Sequence, residues 1–348
     1  MLLSILDQAP IRKGGTAAQA IAETIELARR ADRLGYHRYW LAEHHNSSSL
    51  ACASPEILVA AVADRTERIR VGTGGVMLPH YSALKVAETF RMLETLHPGR
   101  IDLGLGRAPG SDPHTARALA PGASLLSIDQ YPEQILDLLG WLEGRLPEGH
   151  PFRAVQAMPA GNTLPQLWLL GSGGDSAQIA AYFGLPFSFA HFITQRGGAE
   201  ILDAYRRAFR PSRWLAEPLA SLGVSLVVAD TEEEAHRLSL SRFLWWIKIM
   251  KGQAEGFPPP EEALAYPYSA SERELLEKME RRSIAGTPAT VRERLLQMAA
   301  EFQVDEIVAL TITYDFAARV RSYELLADAF GLAPAPSVTP GSSSHSER

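Results

Sequence analysis

Glu43-His44-His45 sets a carboxylate and two imidazoles side by side. Imidazole titrates near neutral pH, so a histidine here can act as general base or hydrogen-bond donor beside a cofactor. Glutamate and two histidines are also proper zinc ligands. Adjacent histidines rarely point at one ion, however, and no third histidine stands at helical spacing. A second group is Gly171-Ser172-Gly173-Gly174-Asp175-Ser176. It opens a predicted helix, and backbone N–H groups at a helix N-terminus attract phosphate when glycines let it come close. Ser172 and Ser176 would add hydroxyl donors; the plain alternative is a capped loop. Arg107 carries a planar fork suited to phosphate, or else forms a rim salt bridge with an acid such as Asp102 or Asp112. Arg107 and the Ser172–Ser176 turn together would hold a phosphate from two sides. Thr73-Gly74-Gly75 would let backbone approach a flat ring, or is simply a glycine-rich turn. The one cysteine, Cys52, reads as a small buried residue more readily than as a reactive thiol.

These groups need a scaffold, and the chain alternates strand and helix almost from end to end. Short apolar runs predict strands at Leu2–Leu6, Tyr39–Ala42, Ile69–Val71, Ile101–Leu105, Leu167–Leu170, Pro186–Ala190, Ser221–Val228 and Glu306–Leu310. Between them lie helices predicted at Ala17–Leu34, Pro55–Thr66, Ala83–Leu96, Ile128–Leu142, Ser176–Phe183, Ala199–Phe209, Thr231–Met250, Thr287–Phe302 and Asp315–Phe330. Gly35 reads as a C-cap, Ser54 as an N-cap before Pro55, and Thr231 with Glu234 as a capping box. Eight strands, each followed by a helix, predict an α/β (β/α)8 TIM barrel. An open doubly wound sheet is the alternative, but no GxGxxG follows the first strand.

In such a barrel the active site lies beyond the C-terminal ends of the strands. There the chain places Asp7 and Gln8, then Glu43-His44-His45, Gly72 to Gly75, Gly106 and Arg107, Gly171 to Ser176, and His191. Trp245, Trp246, Phe189 and Phe192 would line an apolar pocket, or at least two of them belong to the core. Lys251–Ser283 falls outside the repeat, as an insertion between strands seven and eight. It is either a lid or a solvated excursion. Residues 331–348 are Pro/Ser-rich and read as a disordered tail behind one barrel domain spanning 1–330.

The bulk numbers fit an ordinary globular enzyme: 348 residues, 46% hydrophobic, 21% charged, net charge −6. No basic face argues for nucleic acid. A single cysteine allows neither an intramolecular disulfide nor a Cys-rich metal site, which fits a reducing compartment. LLSILDQAP reads as a first strand and not a signal peptide. No run reaches the roughly 18 apolar residues needed to span a bilayer, so a cytoplasmic location is expected.

The stretches YWLAEHHNSSS, IRVGTGGVMLPHYSALKVAE, LETLHPGRIDLGLGRAPG and LLGSGGDSAQIAAYFGLPFSFAHF, with GTPATVRERL later, resemble the bacterial-luciferase-like flavin monooxygenases. The resemblance runs from about Leu2 to Phe330 and is greatest to the single-chain bacterial branch. It implies a (β/α)8 barrel that binds FMN or, in some branches, coenzyme F420. It implies that His44 assists the flavin's oxygen chemistry and that Arg107, Ser172, Gly173 and Ser176 contact the phosphate. It further implies that Gly74 and Gly75 lie beneath the isoalloxazine, joined by a cis peptide. The chain departs from the luciferase α chain at Gly106, where that chain has a reactive cysteine, and at Ser172, where it has a glutamate. The insertion matches the luciferase mobile loop in place but not in residues. Light emission from a long-chain aldehyde is therefore not expected.

The function expected from the resemblance is oxygenation of a small organic substrate, at a carbonyl or a soft nucleophile, by FMNH2 and dioxygen. No nicotinamide-binding fingerprint is present, so a separate flavin reductase would supply FMNH2. A homodimer is expected. Three rivals remain. One is F420-dependent hydride transfer on the same barrel, which basic residues clustered near Arg107 would favour. Another is a metal-dependent hydrolase built on Glu43, His44 and His45. The third is a flavin-binding protein without turnover.

Overall fold

The computed structural model describes residues 1–108, 112–120, 130–253 and 255–333. The predicted helix start at Ile128 and the tail from 334 onward lie outside the described residues.

The first half of the chain runs β1 (Leu2–Asp7), α1 (Ala17–Leu34), β2 (Arg38–Leu41), α2 (Pro55–Ala63), β3 (Arg70–Thr73), β4 (Val76–Met77), α3 (Ala83–Leu96), β5 (Ile101–Gly106), α4 (Pro113–Leu119) and α5 (Tyr131–Leu142). The second half runs β6 (Gln166–Gly171), α6 (Gly174–Phe183), β7 (Phe187–Ala190), α7 (Gly198–Ala208), β8 (Ala220–Val228), α8 (Glu232–Met250), α9 (Pro260–Ala265), α10 (Ala270–Arg282), β9 (Ile284–Gly286), α11 (Pro288–Phe302), β10 (Glu306–Leu310) and α12 (Phe316–Phe330). Eight parallel strands pair in the order β10-β1-β2-β3-β5-β6-β7-β8, and β8 pairs again with β10. The sheet is thus closed, and the predicted barrel is present. β4 and β9 are accessory strands, paired with β5 and β8. Neither was predicted: two and three residues are too few for a period of two to register.

Local chemistry explains most boundaries. Thr16 and Gln19 form a capping box at α1, and Gly35 closes it in the left-handed conformation at φ 87°. Thr231 accepts from the Glu234 N–H at α8, but the Glu234 carboxylate turns to Arg237, so the expected reciprocal box is only half made. Ser54 makes no side-chain cap; α2 starts on Pro55 at its first turn alone. α2 also ends three residues before the predicted Thr66, whose hydroxyl folds back to the Val62 carbonyl.

The strands alternate between lumen and helix layer. At the N-terminal end the lumen is closed by charge. Arg38 donates to Glu306 at 2.6 Å and to Asp102 at 2.7 Å, and Arg70 donates to the other Asp102 oxygen at 2.6 Å. Ser4 completes the Glu306 end, and Trp40 Nε1 donates to Asp102 at 2.9 Å. Above this layer Leu6, Trp40, Trp168 and Val308 pack together, with the Arg38 guanidinium 4.8 Å from the Trp168 ring centroid. The bottom of the barrel is therefore sealed by side chains, and open space begins only above the tryptophans.

Candidate active site

Alternation along β2 decides what Glu43, His44 and His45 do. Trp40 and Ala42 face the lumen, so His44 follows on the lumen side and Glu43 turns outward. The Glu43 carboxylate is fully buried and engaged on both oxygens. His45 Nε2 and the Tyr81 hydroxyl lie 2.7 Å from Oε1, and the Met77 N–H donates to Oε2 at 3.0 Å. Glu43 is therefore a structural anchor for the loop after β3. Among the described residues no group of three His, Cys, Asp or Glu side chains is placed to hold a metal ion. The hydrolase alternative thus lacks a ligand set there.

His44 lines a cavity of about 640 Å³ above the barrel mouth, in the range of a small-molecule site. Its backbone N–H is tied to the Cys52 carbonyl at 2.9 Å, but Nδ1 is enclosed with no hydrogen-bond partner. Burial, with the adjacent His45 adding to it, pulls the imidazole down to about 4. His44 is thus neutral at physiological pH. Gln8, His191 and Ser225 share the cavity, and His191 Nδ1 is likewise enclosed without a partner.

Asp7 does not belong here. It continues the outward face of β1, where Arg319 of α12 donates to it at 2.8 Å and Tyr39 donates to its other oxygen. Cys52 is buried, and desolvation pushes its thiol up to about 12.

The second predicted group forms on the far side of the mouth. α6 starts at Gly174, two residues earlier than expected, with Gly173 as its N-cap. Beyond Gly173 and Gly174 there is open space on the side a Cβ would take. Ser176 is buried and packs against Gly171, where a Cβ would lie 2.6 Å from that of Ser176. Arg107, one residue past β5, reaches α6 and pairs with Asp175 at 3.1 Å. The rim ion pair is thus with Asp175, not with Asp102 or Asp112. Arg107, Ser172 and Gly173 converge on one helix N-terminus, yet none of them, nor Ser176, lines the His44 cavity.

The Gly74–Gly75 peptide is cis. A Cβ at Gly74 would lie 2.6 Å from Leu6 Cδ1, and one at Gly75 would lie 2.7 Å from the Gly104 carbonyl oxygen. Packing against backbone demands glycine at Gly75, whereas at Gly74 the contact is with the end of a leucine side chain that can shift. Of the four aromatics, Phe189 and Trp245 belong to the buried core, and Trp245 also lines the cavity with Trp246 and Phe192. Arg242 lines it too and was not foreseen. An arginine within SRFLWW reads as an ordinary solvated position on a helix.

Residues 1–306 match the family model of the luciferase-like monooxygenases. The chain belongs to this family. An Escherichia coli protein called luciferase-like monooxygenase is 40% identical over 93% of this chain and 96% of its own length. The N-acetyl-S-alkylcysteine monooxygenase of Bacillus subtilis is 37% identical over 94% and 97%. The crystal structure of apo-MsnO8 superposes with a TM-score of 0.88 at 38% identity, covering 96% of this chain and 99% of that one. More distant structures share the fold. They include the oxygenating constituent of 3,6-diketocamphane monooxygenase in complex with FMN (TM-score 0.68, 21% identity, 96% and 98% covered). They also include an F420-dependent secondary alcohol dehydrogenase with an F420-acetone adduct (TM-score 0.67, 14%, 94% and 98%). The monooxygenase relatives make this chain an oxidoreductase, and its barrel is the luciferase-like one.

Proposed function

We propose that this chain is the oxygenating component of a two-component flavin monooxygenase, taking FMNH2 from a separate reductase and acting on a small organic substrate at a carbonyl or soft nucleophile. The observation that carries this reading is His44, a neutral imidazole with an enclosed, unpartnered Nδ1 in the wall of the main cavity. Arg107 and the open α6 N-terminus fit the phosphate of FMN, with Ser172, Gly173 and Ser176 around it. Asp175 must release Arg107 for a phosphate to bind there. Gly74 and Gly75 present a floor without side chains for the ring.

When bound, reduced FMN supplies two electrons and activates dioxygen; one oxygen atom goes to the substrate and the other leaves as water. The protein's part is to position, to hold a proton and to exclude water. Neutral His44 can accept a proton from, or donate an N–H to, a group in the cavity. The tryptophans keep the chamber apolar. α10, which forms much of the insertion, borders it: Leu275, Met279 and Arg282 line the cavity from this helix. We assign the insertion as its lid.

A homodimer is part of the proposal, supported by exposed Ile57 on α2 and exposed Met92 and Leu96 on the neighbouring α3. Light scattering tests it. Among the described residues no helix is long and apolar enough to cross a membrane.

The test is a titration of the purified chain with photoreduced FMN, followed by rapid mixing with oxygenated buffer. Saturable binding and a reoxidation rate distinct from free FMNH2, reverting toward the free value in His44→Ala, support the reading. No binding, or reoxidation identical to free flavin, refutes it. Binding of F420 in its place would move the chain to the hydride-transfer class.

A further inference from the structure

The main cavity has an electrostatic character that the oxygen chemistry does not require. Arg242 and Arg282 line it together with His44, His45 and His191, and among the described residues no aspartate or glutamate does. The Glu43 carboxylate lies behind His45 and is engaged by it, and Glu200 and Glu301 lie in an adjoining cavity of about 330 Å³ beside Arg281 and Arg294. Arg282 is exposed at the end of α10. Arg242 is half-buried on α8, between buried Ser241 and Phe243. Its Nε is enclosed with no hydrogen-bond partner, and among the described residues no carboxylate, carbonyl or ring takes up its guanidinium. Desolvation alone draws it down to about 10, and no acid offsets that burial. Other enclosed guanidinium groups are held by the fold: Arg38 by Asp102 and Glu306 and Arg319 by Asp7, while Arg68 and Arg91, each also with an unpartnered Nε, donate through their terminal nitrogens to backbone carbonyls.

A desolvated, unpaired cation is destabilising unless something completes it. Nothing in the fold does so here, and the free face of this residue is the cavity. The flavin phosphate has its own cradle: Arg107 follows β5 and the α6 N-terminus follows β6, whereas Arg242 stands on the helix after β8, beyond β7. The cavity wall that Arg242 shares includes the apolar side chains of Leu50, Trp245, Ile249 and Leu275.

We propose that Arg242 is a specificity-determining residue, binding an acid group, a carboxylate in the first instance, at one end of an otherwise apolar substrate. The proposal rests on reading the cavity as the substrate chamber of the monooxygenase. A guanidinium fork holds a carboxylate by two charge-assisted hydrogen bonds, which fixes orientation as well as charge. The substrate's apolar end then lies along the tryptophan wall, where its reacting atom can approach His44.

The experiment compares octanoate with octanamide, probes of equal length that differ in charge. Binding is read from the fluorescence of Trp245 and Trp246 in the cavity wall of the purified full chain. Octanoate is expected to bind at least about tenfold more tightly than octanamide. Arg242→Gln should erase the preference, and Arg242→Lys, which keeps the cation but not the fork, should retain part of it. Equal binding of the two probes to the native chain overturns the proposal without any variant. So does a preference undiminished in Arg242→Gln, or undiminished in Arg242→Lys should the glutamine variant not fold. FMNH2 titration of the same proteins separates this result from the reading beneath it. FMNH2 affinity unchanged in Arg242→Gln supports a substrate role. A loss of FMNH2 binding with the octanoate preference intact assigns Arg242 to the cofactor and overturns it. A native chain that prefers octanoate but binds no FMNH2 leaves the anion site standing and removes the monooxygenase.

Discussion

Lowering the pH from 7.5 toward 4 should set His44 apart from an ordinary histidine. Its imidazole lies at about 4 against an ordinary 6.5, because burial and then His45 disfavour the charged form. Between those values the unfolded chain takes up a proton that the native chain refuses. The unfolded state then binds more protons, so stability falls as pH falls through this window and levels off below about 4. Each unit is worth about 1.4 kcal/mol, so the gap between 6.5 and about 4 amounts to about 3–4 kcal/mol, most of it lost by pH 4. Urea unfolding at pH 7.5 and pH 4, on the native chain and on His44→Gln, isolates this contribution from the other histidines and carboxylates. The native chain should lose about 3 kcal/mol more than the variant over that span. A proton NMR titration of the His44 ring should find its midpoint far below 6.5. Catalysis that uses the neutral imidazole should likewise stay flat as pH drops through 6.5. A ring midpoint near 6.5, or equal pH dependence of the two proteins, would refute both the enclosed environment and the neutral base inferred from it.

Other outcomes follow from the same geometry. Arg107→Gln should weaken FMNH2 binding by about 10- to 100-fold, the worth of charge-assisted hydrogen bonds to phosphate. Asp175→Asn, which removes the competing acid, should leave that binding unchanged or tighten it; both are read by fluorescence titration. Arg38→Met leaves Asp102 and Glu306 short of a shared partner and should cost about 3–5 kcal/mol in urea unfolding, while the folded fraction keeps its FMNH2 affinity. Cys52, with its thiol pushed up to about 12 by burial, should resist a disulfide reagent at pH 8 in the native chain and react on denaturation.

The barrel was legible in the sequence because its determinants are local. Strands buried on both faces give unbroken apolar runs, and Thr16, Ser82, Thr231, Thr287 and Asp315 mark helix starts by hydrogen bonds made within one turn. His44 was legible for a related reason: a strand end fixes which side of the sheet its next residues face. What stayed hidden depends on partners far along the chain. Asp7 reads as a rim acid until Arg319, 312 residues away, is seen to claim it. Glu43 keeps a metal reading open as an alternative until Tyr81 and the Met77 N–H are seen to occupy it. Arg107 offers two nearby acids in sequence and takes a third, Asp175, because β6 lies next to β5.

Arg242 was hidden for the opposite reason: what marks it is a missing partner, and no single sequence displays an absence. The contrast with the bottom of the barrel explains why that absence points to function. There Arg38, Arg70, Asp102 and Glu306 neutralise one another completely, and the network needs no ligand to be stable. At the mouth, His44, His191, Arg242 and Trp245 each keep an enclosed nitrogen without a partner in the wall of the same cavity. Four unsatisfied polar groups around one cavity cost stability that the fold itself does not recover. A ligand that accepts from the guanidinium and meets the imidazoles recovers it, so the groups least explained by folding are those expected to govern binding.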